Sequence, residues 1–576
     1  MTLPRQLTSR LQDALTAAGI EVPEGLAPTV VASQDLRFGD YQTNIAMLVA
    51  KAARANPRET AGRIVSAFDG SGLCATPEIA GPGFINFRIL PEAWAGRVVE
   101  VLRDEKCAVP QAEPCHTIVV DFSAPNVAKP MHVGHIRSTI IGDSLSRIAR
   151  YLGHEVITDN HIGDWGTQFG MIIHGWKTLL DEAALARDPI HELLRVYKEV
   201  NALTKADPAV LETCKAELVR LQGGDEENLA IWKRCVEVSK TGLQRIYDRL
   251  GITFDHWLGE SFYNDRLAPL VAGLLEAGTA EESEGAVCVF FRGHPQLDEK
   301  PCLIRKADGG FLYATTDLAT IDHRLNEWKA DEVWYVVGAP QQLHFQQIFE
   351  VVRRTGREAK LVHVAHGSIL GPDRKMMKTR SGENVQLVDV LDEAVVRARA
   401  VVEEKNPDLP EDEKQSIAEI VGLGSVKFAE LFQHRMTDYI FSWEKMLSLQ
   451  GDTAPYLQYS SVRIRAIFRK HDGALPDFAG IDASMLVMAA PEETTLARQL
   501  SRFGEVLPAV LEDFRPNLLA AYLLELAGAF HAFFAACPVL KAEEPARTTR
   551  LALCAAADKV LTSGLGLLGI GVPERM

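Results

Sequence analysis

Residues 117–160, "TIVVDFSAPNVAKPMHVGHIRSTIIGDSLSRIARYLGHEVITDN", constrain the fold more than any other stretch of the chain. "TIVVDFS" (117–123) is a β-branched run of the kind found in buried parallel strands. After a loop, Ile136, Ile140, Ile141, Leu145, Ile148 and Leu152 recur at helical spacing, and Gly153 supplies a stop. "EVITDN" (155–160) follows as a second strand. Strand, loop, helix, strand is a βαβ unit, and a βαβ unit commits its domain to a parallel sheet with helices on its faces. Ligands bind at the carboxyl end of such strands, which places residues 124–135 at the site. "DEVWYVVG" (331–338) and "LVHVAHGSIL" (361–370) extend the sheet from the far side of a long insertion, expected at about 171–300.

At 576 residues the chain is too long for one core. Residues 1–110 alternate helical patterns with a strand-like "GFINFRI" (83–89), a small α+β module that ends in the polar, proline-containing "VPQAEP". From Gly451 onward strands vanish and long patterns of period near 3.6 predict a helical bundle over 451–576. The expected fold is therefore multidomain α/β: 1–110, a Rossmann-type domain over 111–450, and 451–576 all-α.

Composition excludes several classes. The nine cysteines form no C-x-x-C pair and no His/Cys cluster at zinc spacing, which predicts reduced thiols in a cytosolic protein with no metal site and no zinc. No apolar run is expected to reach the ~20 residues of a membrane span, and the N-terminus has no signal-peptide core. The net charge of −16 speaks against a nucleic-acid partner. Residues 1–110 carry 11 basic and 12 acidic groups and residues 451–576 carry 12 and 14, however, so both ends are near neutral and can present basic faces.

Two motifs carry chemistry. "HVGH" (132–135) opens the βαβ helix, where free N–H groups and the helix dipole favour an anion; His132 and His135 add donors for developing phosphate charge. Gly134 leaves the backbone open to a flat base or ribose. "GPDRKMMKTRSGENVQL" (371–387) is a basic loop after a strand in the same sheet, suited to a triphosphate whose pyrophosphate must leave. "GLGLLG" (564–569) matches G-x-G-x-x-G but follows no strand and has no acid about 20 residues on, so it is no dinucleotide site.

H-x-G-H early and a K-M-S-K-S-like loop late resemble the class I aminoacyl-tRNA synthetases. "SAPNVAKPMHVGHIRSTIIGD", "NHIGDWGTQFG", "FGDYQTNIAM", "TDYIFSWEKML", "GDTAPYLQY" and the final "PERM" resemble the bacterial arginyl-tRNA synthetases over essentially the whole chain. The resemblance implies that ATP, with Mg²⁺, and arginine form an arginyl-adenylate, and that the arginyl group then passes to tRNA(Arg). It implies arginine-binding roles for Asn126, Glu260, Tyr313, Asp317 and Gln341. A guanidinium is a planar five-donor cation and needs fixed acceptors, and Tyr313 and Asp317, four apart, share a face if helical.

The basic loop has two registers. Read from Lys375, it keeps Lys378 as the second lysine; aligned on Gly382, that position falls on Thr379 and Lys129, just before H-x-G-H, is the substitute. ATP contacts are expected from His132, Gly134, His135, Lys129, Lys375 and Lys378. For tRNA, the resemblance implies an elbow-gripping N-terminal domain with Phe84 and Asn86, although Phe84 in a strand also fits a core. It implies an anticodon-binding bundle with Tyr459, Arg463 and the terminal Met576, although Arg463, Arg465, Arg469 and Lys470 also fit a solvated basic face. The expected protein is a cytoplasmic monomer without a tightly bound cofactor or membrane partner.

Overall fold

The structure, a computed structural model, describes residues 1–371, 375, 385–440, 442–448, 450–472 and 474–576. The chain divides into two compact units, and its two ends share one of them. The larger unit is Ala112–Ser448 with Leu567–Ile570; the other combines Met1–Gln111 with Leu449–Gly566 and Gly571–Met576.

The larger unit is built on four parallel strands, β1 (Thr117–Asp121), β2 (Glu155–Asp159), β3 (Glu332–Tyr335) and β4 (Lys360–His363), in the order β4-β3-β1-β2. Ile118, Val119 and Val120 of β1 and Val333, Trp334 and Tyr335 of β3 are buried, as expected of a parallel sheet covered on both faces. The helix α1 (Ile136–Tyr151) follows β1 and packs Ile136, Ile140, Ile141, Leu145 and Ile148 inward; α2 (Tyr313–Asn326) precedes β3 and α3 (Gln342–Arg354) follows it. Register aligns Asp121, Asp159, Tyr335 and His363 at the carboxyl edge. Because β1 and β3 are neighbours although far apart in sequence, the chain leaves them in different directions. A crevice opens at such a switch point.

Arg324, at the end of α2, is fully buried and donates to Asp121 and to Asp159, 2.7 Å each, while its guanidinium lies 5.3 Å from the Tyr335 ring centre. One cation therefore ties α2 to the ends of β1 and β2. A buried charge is tolerable only with such partners, and losing one of them costs about 3–5 kcal/mol. The insertion consists of helices from Gln168 to Leu250, then Asn264–Glu276 and a small antiparallel sheet, Glu281–Ser283, Ala286–Val289 and Cys302–Arg305.

In the other unit the N-terminal residues form an antiparallel sheet in the order Val31–Ala32, Tyr41–Thr43, Phe84–Phe87, Glu78–Ala80, with helices around it. The helices of the C-terminal part, among them Ala454–Arg469, Pro491–Ser501, Phe503–Asp513 and Pro516–Ala536, share its core. Arg498 pairs with buried Asp40 at 2.7 Å, and the Tyr41 hydroxyl lies 3.0 Å from Glu505. Contrary to the expectation that no run reaches membrane-span size, Pro516–Ala536 is long and apolar enough to qualify. Its Leu519, Leu523, Leu526, Phe530 and Phe533 are buried within the unit.

Candidate functional site

The loop after β1 is strained where it approaches the crevice. Ser123, Ala124 and Ala128 have φ of 73°, 46° and 61°, the left-handed region that side chains disfavour, and such outliers gather at functional sites. The loop ends in a short 3-10 turn, Val133–His135, which explains why the two imidazoles stand three apart. The His132 side chain accepts from Gly134 N–H at 3.1 Å, and the His135 side chain accepts from His132 N–H at 3.1 Å. This is a reciprocal capping box made of two histidines.

The capping contacts set the chemistry. His132 Nδ1 accepts from the Gly134 N–H, so its Nε2 carries the proton and is an N–H donor, while His135 Nδ1 lies against both the N–H and, at 3.3 Å, the carbonyl oxygen of His132. The ring centres are 4.0 Å apart. Burial and the neighbouring His132 push His135 down to about 4, and burial lowers His132 too, so both rings are neutral at pH 7. Gly134 is required for a reason other than ligand approach: a Cβ there would come within 3.0 Å of the His132 ring.

His132, Gly134 and His135 line a cavity of about 310 Å³ with Ser123, Ala124 and Ser138, and its opposite side is Val336–Gly338, Pro340 and His366–Ile369. This is the β1/β3 switch point. Arg137 also lines it, its guanidinium 3.2 Å from buried Glu430. The far end of the basic loop returns to the same turn: Val133 N–H donates to Val385 and Leu387 N–H to Met131, 2.9 Å each.

The lysines separate. Lys129 is half-buried, and its Nζ lies 5.1 Å from the ring centre of Tyr197, a residue of the insertion helix Pro189–Ala206. A cation held on an aromatic face keeps its charge while losing freedom. Lys375 is exposed, with its carbonyl accepting from Gly371 N–H at 2.7 Å. Lys378, Thr379 and Gly382 lie outside the described residues.

The side chains expected to bind arginine come from separate elements, of which the structure brings Glu260 and Asp317 near each other. Tyr313, 72% exposed, opens α2, with Asp317 one turn on; Gln341 ends a 3-10 turn leading into α3, and Glu260 begins another at Glu260–Tyr263 that packs on α2. Glu260 is pushed up to about 7, chiefly by burial and further by Asp164 and Asp317; the nearby His161 opposes the shift. Asn126 is exposed, and its side-chain oxygen fills the space that a Cβ on Gly163 would need. His344, which pattern reading does not single out, bonds through Nε2 to the Asp317 carboxylate at 2.5 Å, joining α3 to α2. Its clue was its place three residues after Gln341 in "APQQLHFQQ".

The other unit has a cavity of its own, about 620 Å³, which brings Tyr459, Arg463 and Met576 together with Arg469, Lys470, Lys541 and Arg575. Tyr459 is 39% exposed, and the Arg463 guanidinium stacks 4.4 Å from the Phe534 ring centre. Arg465 points elsewhere, paired with Asp558 at 3.3 Å and Glu574 at 3.0 Å. Phe84 is half-buried; Asn86 is 4% exposed, and its Oδ1 has no hydrogen-bond partner among the described residues. No group of His, Cys, Asp or Glu among the described residues forms a metal-binding cluster.

Comparison with known proteins gives one answer along the chain. Residues 97–443 match "tRNA synthetases class I (R), catalytic domain", 457–576 match "DALR anticodon binding domain", and 5–89 match "Arginyl tRNA synthetase N terminal domain". The chain is 44% identical over 589 residues to an arginine–tRNA ligase of Cellvibrio japonicus, covering 100% of both, and 43% identical over 583 residues to one of Synechococcus elongatus, covering 99% of both. Among solved structures it is similar to the arginyl-tRNA synthetase of Plasmodium falciparum, with TM-score 0.85 and 27% identity over 100% of this chain and 99% of that one. It is likewise similar to that of Thermus thermophilus, with TM-score 0.81 and 26% identity over 100% of both.

Proposed function

The chain belongs to the class I arginyl-tRNA synthetase family, and on that premise we propose how its residues divide the work. The reaction is arginine–tRNA ligation: arginine is activated with ATP to arginyl-adenylate, the arginyl group passes to tRNA(Arg), and AMP and pyrophosphate are released. ATP enters as its magnesium complex.

In the activation step an oxygen of the arginine carboxylate attacks the α-phosphorus, and the bond to the pyrophosphate oxygen breaks with its electron pair leaving on pyrophosphate. The His132 and His135 Nε2–H groups donate to phosphate oxygens as charge develops, and no protein nucleophile takes part. Lys129, preset on Tyr197, follows the leaving pyrophosphate, and Lys375 and Lys378 of the basic segment 371–387 are the other candidate cations. Gly134 keeps the turn tight enough for the His132 ring to hold its donor in place. The guanidinium of the substrate is read by Tyr313, Asp317 and Glu260, while Asn126 and Gln341 serve its other polar groups. His344 fixes one Asp317 oxygen so that the other faces the ligand.

The observation that carries this division is the paired imidazole cap, which holds two neutral rings on one short turn in the cavity at the β1/β3 switch point. Residues 1–110, with Phe84 and Asn86, grip the tRNA elbow; 111–450 catalyse; 451–576 meet the anticodon through Tyr459, Arg463 and Met576, a role supported by the basic cavity. The protein works as a cytoplasmic monomer, with neither zinc nor membrane. Charging of tRNA(Arg) with labelled arginine tests the reading, together with pyrophosphate exchange with and without tRNA. Exchange is expected only with tRNA present; strong exchange without RNA would contradict the carried-over requirement.

A further inference from the structure

The segment that follows β2 holds a carboxylate that no step above uses. Asp164 is 4% exposed, too covered to meet a substrate itself. Its segment is bonded on one side to the strained loop after β1: Gly163 N–H donates to the Pro125 carbonyl at 3.1 Å, and Val127 N–H to the Gly163 carbonyl at 3.0 Å. On the other side Glu260 N–H donates to the Ile162 carbonyl at 3.2 Å.

The Asp164 carboxylate grips the residues on both sides of Glu260. Ser261 N–H donates to Oδ1 at 2.9 Å, and the Ser261 hydroxyl donates to Oδ2 at 2.7 Å. Bonds from donors to an ionised carboxylate are about twice as strong as neutral ones. Gly259 lies so close that a Cβ there would come within 2.4 Å of both carboxylate oxygens. Asp164 is itself fixed: its N–H donates to the Ile162 carbonyl at 3.0 Å, and its carbonyl accepts at 2.7 Å from the indole N–H of Trp232, on the insertion helix Glu226–Leu250.

A buried carboxylate needs a reason, because its own burial is unfavourable. Burial pushes the Asp164 carboxyl up, against the pull of the two Ser261 donors, His161 and Lys240. What this carboxylate holds is the backbone of Gly259 and Ser261, and the side chain between them is Glu260. The residue before it supports a second side chain, since the Asn126 oxygen rests on Gly163. Two side chains far apart in sequence thus lean on consecutive residues. We infer that Asp164 is a positioning residue for arginine binding, which fixes the turn at Glu260, through Gly259 and Ser261, so that the Glu260 carboxylate is held for the substrate guanidinium. The inference rests on the proposed arginine-binding role of Glu260.

The test is tRNA-supported pyrophosphate exchange by the full-length protein, with arginine and ATP varied in turn. Asp164→Ala is expected to raise the arginine KM about tenfold, the scale of hydrogen bonds lost to a buried carboxylate, with kcat and the ATP KM within about twofold of the unaltered protein. Asp164→Asn, which keeps one acceptor oxygen for Ser261 N–H, should recover most of that. Residues that act through one another are not additive, so Asp164→Ala should raise the KM no further in a protein already carrying Glu260→Gln. Ser261→Ala removes only the hydroxyl donor and should raise the KM about threefold, again only while Glu260 is present. Should Asp164→Ala not fold, Ser261→Ala decides by the same comparison. The inference is overturned if these variants leave the arginine KM unchanged, if their effects multiply with that of Glu260→Gln, or if kcat and the ATP KM suffer as much as the arginine KM, the mark of a merely structural contact. A Glu260→Gln protein with an unchanged arginine KM would remove the role of Glu260 itself; multiplied effects beside a raised KM remove only that of Asp164.

Discussion

The 310 Å³ cavity is lined by imidazoles and by Arg137, which is paired with buried Glu430, whereas the carboxylates Asp317 and Glu260 belong to the group around α2. Burial acts on both sets in opposite directions on the pH scale and to the same end. It drives His135 and His366 down to about 4 and raises Glu260 to about 7, favouring the uncharged form of each. The halves differ in what restores charge. In the proposed division phosphate would bring negative charge to the imidazoles, whereas arginine would bring a positive charge that favours the ionised form of Glu260. The nucleotide half is therefore expected to govern rate, and the arginine half affinity and its pH dependence.

The sharpest way to break this contrast is at His135. His135→Ala is expected to lower adenylate formation about 10²–10³-fold with tRNA affinity nearly intact, as for loss of a transition-state donor; near-normal pyrophosphate exchange with tRNA present would rule that out. Next come the lysines. Lys129→Ala should lower kcat for activation about 10²-fold and Lys378→Ala tenfold or less, and a larger defect for Lys378 would transfer the pyrophosphate role to the loop.

On the arginine side the change should appear in KM. Asp317→Ala is expected to raise the arginine KM about 10–100-fold, the range for a lost charge-assisted contact; a shift under twofold would make Asp317 a surface acid. His344→Ala should raise it about tenfold with kcat little changed, and His344→Gln, still a donor, should recover most of that. Equal kcat losses in both variants would point to a merely structural contact.

The smallest effect is a titration. Arginine, as a cation, binds the ionised form of Glu260, whose pKa in the free protein is raised to about 7. Affinity should therefore improve as pH rises, by about twofold in KM between pH 7 and pH 8. Glu260→Gln should flatten that slope, and a slope that survives the substitution belongs to another group.

The two halves also differ in how far they were legible. The βαβ unit with H-x-G-H lies within 44 consecutive residues, and its signals are local: β-branched runs, helical spacing and a stop at Gly153. Tyr313 and Asp317 could be paired from their spacing alone. His344 could not be joined to Asp317, because the bond crosses 27 residues and two helices. Asn86, offered as a reader of base edges, is buried in a strand, where its neighbours decide its exposure.

By itself, then, the sequence determined where the strands and helices form and which turn carries the two imidazoles, since each depends on neighbours within a few positions. The tertiary structure alone decided which residues meet across the chain. It seated Lys129 on Tyr197, and it bound Asp121 and Asp159 to one buried arginine. It also folded the first 111 residues into one unit with the C-terminal helices, through pairs such as Asp40 with Arg498. These are contacts between residues tens to hundreds of positions apart, which leave no period in the sequence because the chain must close on itself before they exist.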